Sequence, residues 1–240
     1  MSNSEQIHHQ SPFTLGIDIG GTNIKMLVMD AKGQAVTPYI HESTPTPATV
    51  EAICSVITHM IKTLNTHFDH VAAGFPGIVV FGIVKDAPHL DASWVGVNLE
   101  ERLQAITGTP ARVANDADVQ GYGDEHGKGV ELVMTLGTGV GSALFVDGRL
   151  VPNLEFGHHP FEDSQTYEQA LSKVALDEEG VEQWKDKLKR AINLWLNTFN
   201  CQKLYIGGGL ANLIDFKLPD SVEISQNIEG TLGGIKLWQV

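Results

Sequence analysis

Ile17-Asp18-Ile19-Gly20-Gly21-Thr22-Asn23-Ile24-Lys25 lies where two apolar runs, Phe13 to Ile19 and Ile24 to Met29, meet. The runs have the length and the β-branched content of strands. Between them stand a carboxylate, two glycines and a hydroxyl, with a lysine just inside the second run. Glycines lack a Cβ, so a turn built from Gly20 and Gly21 can bring several backbone N–H groups onto one anion. Thr22 adds a hydroxyl donor and Lys25 a positive charge, and Asp18 could hold the divalent metal that accompanies phosphates. An ordinary hairpin turn has the same composition, and this stretch alone does not separate the two readings.

A second stretch of the same kind does. Leu132 to Leu136 is a strand, followed by Gly137-Thr138-Gly139-Val140-Gly141-Ser142 and a further strand, Ala143 to Val146. Two strand–glycine turn–strand units, each carrying a threonine, stand in two halves of one chain. Paired β-hairpins that grip a phosphate chain are the arrangement expected of an actin-like or sugar-kinase fold.

The rest of the chain divides around these two units. Strands are predicted near 13–19, 23–30 and 34–41, then a helix from Ala48 to Asn65 with Val50, Ile53, Cys54, Ile57, Ile61 and Leu64 on one stripe. Strand 71–75, a hairpin over 78–84, a helix over 99–106 and strand 111–114 complete the first half. Strands 130–136, 139–146 and 149–151 open the second, followed by helices over 167–176 and 181–199. Strands 203–206 and 222–224 follow, and a short helix over 230–238 returns to the first domain. This order predicts an α/β protein of two βββαβα-like halves, an actin-like (ribonuclease H-like) fold with an interdomain cleft. The expected domains are 13–114 with 228–240, and 115–227, after a disordered tail over 1–12.

Bulk properties exclude several classes. With 240 residues, 42% of them hydrophobic and 7% aromatic, the chain is expected to be globular. No apolar run approaches the ~20 residues of a membrane span, and residues 1–12 lack both the basic start and the apolar core of a signal peptide. Cys54 and Cys201 have no metal or redox spacing and are expected as buried, reduced thiols of a cytoplasmic protein. A net charge of −13 argues against a nucleic-acid partner. It also works against a polyanionic substrate, for which Lys25, Lys85, Arg149 and Lys236 are candidates for a local basic strip.

Three segments carry further chemistry. Asn115-Asp116-Ala117-Asp118 falls where strand 111–114 ends, the edge at which open α/β sheets bind ligands. Asp116 there could act as a base toward a sugar hydroxyl, with Asn115 offering its amide to neighbouring hydroxyls. Asn and Asp are equally favoured as helix caps, and Asp118 is assigned only to the first turn of a helix and its dipole. Glu155 and His158, three residues apart, could both reach one polyol. The neighbouring His159, Glu162 and Asp163 do not have the spacing of a zinc site. Gly207-Gly208-Gly209, after an apolar strand, suits close approach of a nucleotide or a tightly packed strand-to-helix turn.

On these motifs the chain resembles the ROK (repressor, open reading frame, kinase) sugar-kinase family over nearly its whole length, and within it the polyphosphate glucokinases. Asp18-Ile19-Gly20-Gly21-Thr22 and Leu136 to Ser142 resemble the two phosphate motifs. Phe75-Pro76-Gly77-Ile78-Val79, Ser93-Trp94-Val95-Gly96, Asn115 to Asp118 and Ile206 to Gly209 follow in family order. Gly82-Ile83-Val84 through Asp91 to Asn98, and Leu150 to His158, resemble the polyphosphate branch. The zinc-binding cysteine cluster typical of the family is missing after Gly157-His158, so no zinc is expected. The resemblance implies Asp116 as catalytic base and Asn115, Glu155, His158 and Glu168 as glucose contacts. It also implies Mg2+, a homodimer, and phosphoryl transfer from polyphosphate or ATP to the glucose C6 hydroxyl. The alternatives are an ATP-dependent kinase of another hexose or amino sugar, and a sugar-sensing protein without catalysis. With about a dozen residues before the first strand, the DNA-binding domain of the family's repressors is not expected here.

Overall fold

A computed structural model of the chain describes residues 10–123, 127–225 and 232–238. The chain divides into two compact units, Met1–Val113 with Thr231–Val240, and Ala114–Gly230. The expected crossing at 227–228 lies outside the described residues, as does most of the expected tail. Of the tail, Gln10 has a defined place, its carbonyl accepting from the Ala31 amide.

In unit 1, strands β1 (Thr14–Ile19), β2 (Asn23–Met29) and β3 (Ile40–Ser43) form an antiparallel meander. Helix α1 (Val50–Leu64) leads to β4 (His70–Phe75), which pairs parallel with β1. A small hairpin, β5 (Val79–Val80) and β6 (Ile83–Val84), precedes helix α2 (Leu99–Thr107) and β7 (Ala111–Asn115). The sheet order is β3-β2-β1-β4-β7. The α1 stripe buries Val50, Ile53, Ile57 and Met60, so Met60 takes the place expected of Ile61, while Cys54 is half-buried. Thr49 caps the helix through the Ala52 amide.

The third strand begins six residues later than the sequence pattern suggests. Thr37 Oγ1 accepts the Val28 amide at 2.9 Å, while the Val36 and Thr37 amides both go to the Val28 carbonyl. A side chain thus replaces a ladder partner, and Pro38 has no amide to offer. Pairing there is reduced to one bridge, Met29 to Ala35, and resumes only at Ile40.

Unit 2 repeats the plan. Helix α3 (Asp116–Gly121) follows β7; then β8 (Val130–Leu136), β9 (Val140–Val146) and β10 (Arg149–Val151) make a second antiparallel meander. Helices α4 (Tyr167–Leu171), α5 (Lys173–Glu179) and α6 (Val181–Phe199) precede β11 (Lys203–Gly207) and β12 (Val222–Ile224). The order β10-β9-β8-β11-β12, with β8, β11 and β12 parallel, matches the order of the unit 1 sheet. Its core includes Trp184, Leu188, Ala191, Ile192 and Trp195 of α6. Cys201 is half-buried and free.

The single helix expected over 167–176 is two. Ser172 is extended, and the next amide, Lys173 N–H, donates to the Gly137 carbonyl at 2.8 Å. The tail segment 232–238 is a 3₁₀ helix rather than an α-helix. It packs on β1 and β4, where the Trp238 ring stacks on His70 at 4.3 Å and its indole N–H donates to the Val71 carbonyl.

Candidate functional site

Asn115, the last residue of β7, stands at the start of α3, and the helix-cap reading holds for it: Oδ1 accepts from the amides of Ala117 at 2.8 Å and Asp118 at 3.3 Å. With its oxygen so engaged, the side chain presents Nδ2 to Glu155, 3.4 Å from Oε1. Asp116 is half-buried in the first turn, Oδ1 accepting from the Ala117 amide at 2.8 Å.

Glu155 lies in the connection after β10. Asn153 has a left-handed backbone, φ 57°, and Phe156–His158 form a 3₁₀ turn. The buried Ser142 hydroxyl fastens this connection from β9, donating to the Leu154 carbonyl and accepting from the Phe156 amide at 3.0 Å. Gly157 lies so close to β9 that a Cβ would run into the Val140 carbonyl oxygen. His158 stands between two carboxylates, Nδ1 4.0 Å from Glu155 and Nε2 3.9 Å from Glu168. Glu168 is placed by the capping box of α4, Thr166 with Gln169, and its Oε2 accepts from the Val140 amide at 3.2 Å.

Asn115, Glu155, His158 and Glu168 therefore form one continuous run of polar side chains. They come from three separate places in the sequence, Glu155 and His158 sharing one connection. Glu155, His158 and Glu168 keep 32%, 48% and 25% of their side chains accessible. The arrangement alternates amide donor, carboxylate acceptor, imidazole and carboxylate acceptor, a pattern that complements neighbouring hydroxyls.

Asp118 departs from its expected role. Rather than a solvated first-turn carboxylate it is 1% exposed, and Oδ2 accepts from the Asn153 amide at 3.0 Å. Burial, with a smaller push from the Glu155 charge, raises its pKa to about 7.

The second glycine turn is closed by Gly137 N–H donating to the Gly139 carbonyl at 3.0 Å, with Thr138 exposed. A Cβ at Gly137 would meet nothing within 4 Å, so no contact of the chain requires glycine there. In unit 1, Gly20 is needed internally: its Cβ would lie 2.8 Å from the Asn23 carbonyl, to which its own amide donates. Thr44 ties the turn down, its hydroxyl reaching the Gly20 carbonyl at 2.6 Å and its amide the Thr22 carbonyl at 2.9 Å. Gly21 and Thr22 are exposed, and His89, absent from the sequence reading, stands beside Gly21 with Cβ 3.4 Å from a Cβ built there.

Lys25 does not stand open for a phosphate. It faces Asp18 across the β1–β2 register and pairs with it at 3.2 Å. Burial raises the Asp18 carboxyl above its usual range while the Lys25 ammonium opposes the rise. Magnesium that rides on phosphates needs only one or two protein carboxylates, so Asp18 fits that part, sharing its charge with Lys25. Among the described residues no three His, Cys, Asp or Glu side chains gather as a metal site. Of the other candidate basic residues, Lys85 and Arg149 are exposed and Lys236 is half-buried.

Gly207 and Gly208 serve packing. A Cβ on Gly207 would strike the Gln120 amide, and Gly208, at φ 82°, would strike the Leu136 backbone; only Gly209 is open. No helix among the described residues is long and apolar enough to cross a membrane.

Known proteins share this build. The polyphosphate glucokinase of Mycobacterium leprae (strain TN) is 30% identical over 244 residues, covering 91% of this chain and 72% of the relative. The crystal structure of an inorganic polyphosphate/ATP-glucomannokinase from Arthrobacter sp. strain KM matches with a TM-score of 0.87 and 31% identity, over 96% of this chain and 100% of that one. A ROK family glucokinase from Streptomyces griseus, solved with glucose and AMPPNP, shares the fold with a TM-score of 0.79 at 20% identity, over 94% of this chain and 98% of that one. The two-unit sheet order is that of the actin-like, ribonuclease H-like sugar kinases. The ROK family model itself matches residues 14–168, which contain both glycine turns and all four residues of the polar run. The chain belongs to the ROK family.

Proposed function

We propose that this chain is a polyphosphate-glucose phosphotransferase, moving a phosphoryl group from inorganic polyphosphate, and from ATP, to the C6 hydroxyl of glucose. The observation that carries the reading is the run Asn115–Glu155–His158–Glu168 beside Asp116, anchored through Val140 to the strand that leaves the second glycine turn. The named activities of the Mycobacterium and Arthrobacter relatives support the choice of sugar and donor.

In this reading Glu155 and Glu168 accept hydrogen bonds from sugar hydroxyls, Asn115 Nδ2 donates, and His158 does either. Asp116 takes the proton of the C6 hydroxyl as its oxygen bonds to the donor's terminal phosphorus and the bridging P–O bond breaks, leaving polyphosphate one phosphate shorter, or ADP. The amides of Thr138 and Gly139 would donate to donor phosphate oxygens, as would those of Gly21 and Thr22 in the first turn, while the Gly137 and Gly20 amides close their own turns. Asp18 would hold Mg2+, which neutralises charge on the donor phosphates. Gly209, the open member of its triplet, leaves room for a nucleotide when ATP is the donor.

The test is a coupled assay of glucose 6-phosphate formation with Mg2+ and either polyphosphate or ATP. Turnover with polyphosphate is expected. Turnover with ATP alone would move the chain to the ATP-dependent hexose kinases, and tight glucose binding without turnover on either donor would make it a sugar sensor.

A further inference from the structure

Asp118 is the least expected carboxyl in unit 2. Burying a carboxyl is costly unless it is well hydrogen-bonded, and an apolar side chain is cheaper in a core. Asp118 is 1% exposed, in a six-residue helix whose neighbours Ala117 and Val119 are core residues. Among the described residues Oδ1 has no hydrogen-bond partner. The other oxygen, Oδ2, accepts a long-range bond from the Asn153 amide, 35 residues away. That group is the backbone of a left-handed, non-glycine residue, φ 57°, a conformation that the surrounding structure must hold in place.

Asn153 begins the connection whose next members are Leu154, Glu155 and the 3₁₀ turn ending at His158. Two anchors fix it. Ser142 holds the Leu154 carbonyl and the Phe156 amide, and Asp118 holds the entry amide one residue earlier. Asn115, two residues before α3's second position, meets the same connection from the other end through Glu155. One short helix therefore touches the sugar-facing connection twice, once by an amide and once by a buried carboxyl.

We propose that Asp118 is a positioning residue for sugar recognition: through the Asn153 amide it fixes the backbone from which Glu155 and His158 project. The proposal rests on the reading of the polar run as a glucose site. Asp118 does not contact sugar; it sets where the contacting groups stand. A displacement of about 1 Å in such groups costs roughly 100-fold in a well-fitted site.

The experiment compares the full chain with its Asp118→Ala and Asp118→Asn variants. Glucose affinity is read by calorimetry, kinetic constants by the coupled assay, and the segment 151–158 by amide hydrogen exchange. Asp118→Ala is expected to expose the Asn153 amide and to raise the glucose Kd and KM at least 10-fold, with the donor KM unchanged. Asp118→Asn keeps an oxygen to receive the amide and is expected to restore glucose affinity to within about 3-fold of the wild type. It also decides the matter if the alanine variant fails to fold, since loss of glucose affinity in a folded Asp118→Asn chain would overturn the role. So would an alanine variant with wild-type exchange and wild-type glucose Kd. A wild-type chain that binds no glucose would refute the sugar site instead, and exchange at Asn153 would then decide by itself whether Asp118 anchors the segment.

Discussion

Gly137→Ala separates what the fold needs from what a ligand needs. A Cβ at this position meets no atom of the chain within 4 Å, and the backbone is not in the left-handed region. The fold should accept the methyl, and loss of backbone freedom in the unfolded chain is worth about 0.4–1 kcal/mol in its favour. Donor phosphate is a different matter. A methyl on the turn stands where phosphate oxygens would approach the amides, and one charge-assisted hydrogen bond lost there is worth about 1.5–3 kcal/mol. That corresponds to roughly a 10- to 150-fold fall in kcat/KM for the phosphate donor. Thermal unfolding monitored by circular dichroism should show an equal or higher Tm. The coupled assay should show the loss at varied donor, with the glucose KM unchanged. Gly209→Ala, equally free of contacts, serves as a parallel: it should affect ATP and spare polyphosphate. Wild-type donor kinetics in a normally folded Gly137→Ala chain would refute the phosphate cradle at the second turn.

Other substitutions probe other parts. Asp116→Asn should bind glucose, as seen by calorimetry, yet lower kcat by ~100-fold or more. Gly157→Ala forces a methyl against the Val140 carbonyl; a destabilisation of about 1–3 kcal/mol in urea unfolding is expected, together with weaker glucose binding. Asp118 gives a pH signature. Its pKa rises on folding to about 7, so the stability it confers is full below its unfolded pKa and is lost as pH climbs through 7. Asp118→Asn should therefore gain on the wild type between about pH 4 and pH 7, by up to roughly 4 kcal/mol, and hold that lead above. Parallel stability curves for the two chains across that range would contradict the buried, protonated carboxyl.

The two glycine turns and most strands were legible because they rest on local rules: apolar runs for strands, Gly pairs for turns, Thr and Asn for caps. The sequence was silent wherever a distant atom decides. Nothing in Glu168-Gln169-Ala170-Leu171-Ser172 marks a break, since the break exists to send the Lys173 amide to Gly137, 36 positions back. Thr37 displaces β3 by reaching a backbone amide on β2, a competition that β-propensity does not register. Asp118 looked like a solvated first-turn acid because its burial comes from Asn153 and the sheet behind it, not from its neighbours in sequence. Gly207 and Gly208 were ambiguous for the same reason: only the positions of Gln120 and Leu136 show that packing requires them. Asn115, Glu155 and His158 were candidates from their own segments and Glu168 from the resemblance alone; that the four stand in one run is visible only in the fold.

The matching strand orders of the two sheets give each glycine turn the same address, the first bend of a β-meander. The two units thus share one plan. Their bends are secured differently, one by a threonine just past the third strand and the other by a helix-start amide. Both tethers end on backbone carbonyls, so neither reads the side chains of its bend, and the exposed Gly21, Thr22 and Thr138 are left to whatever meets the bend from outside.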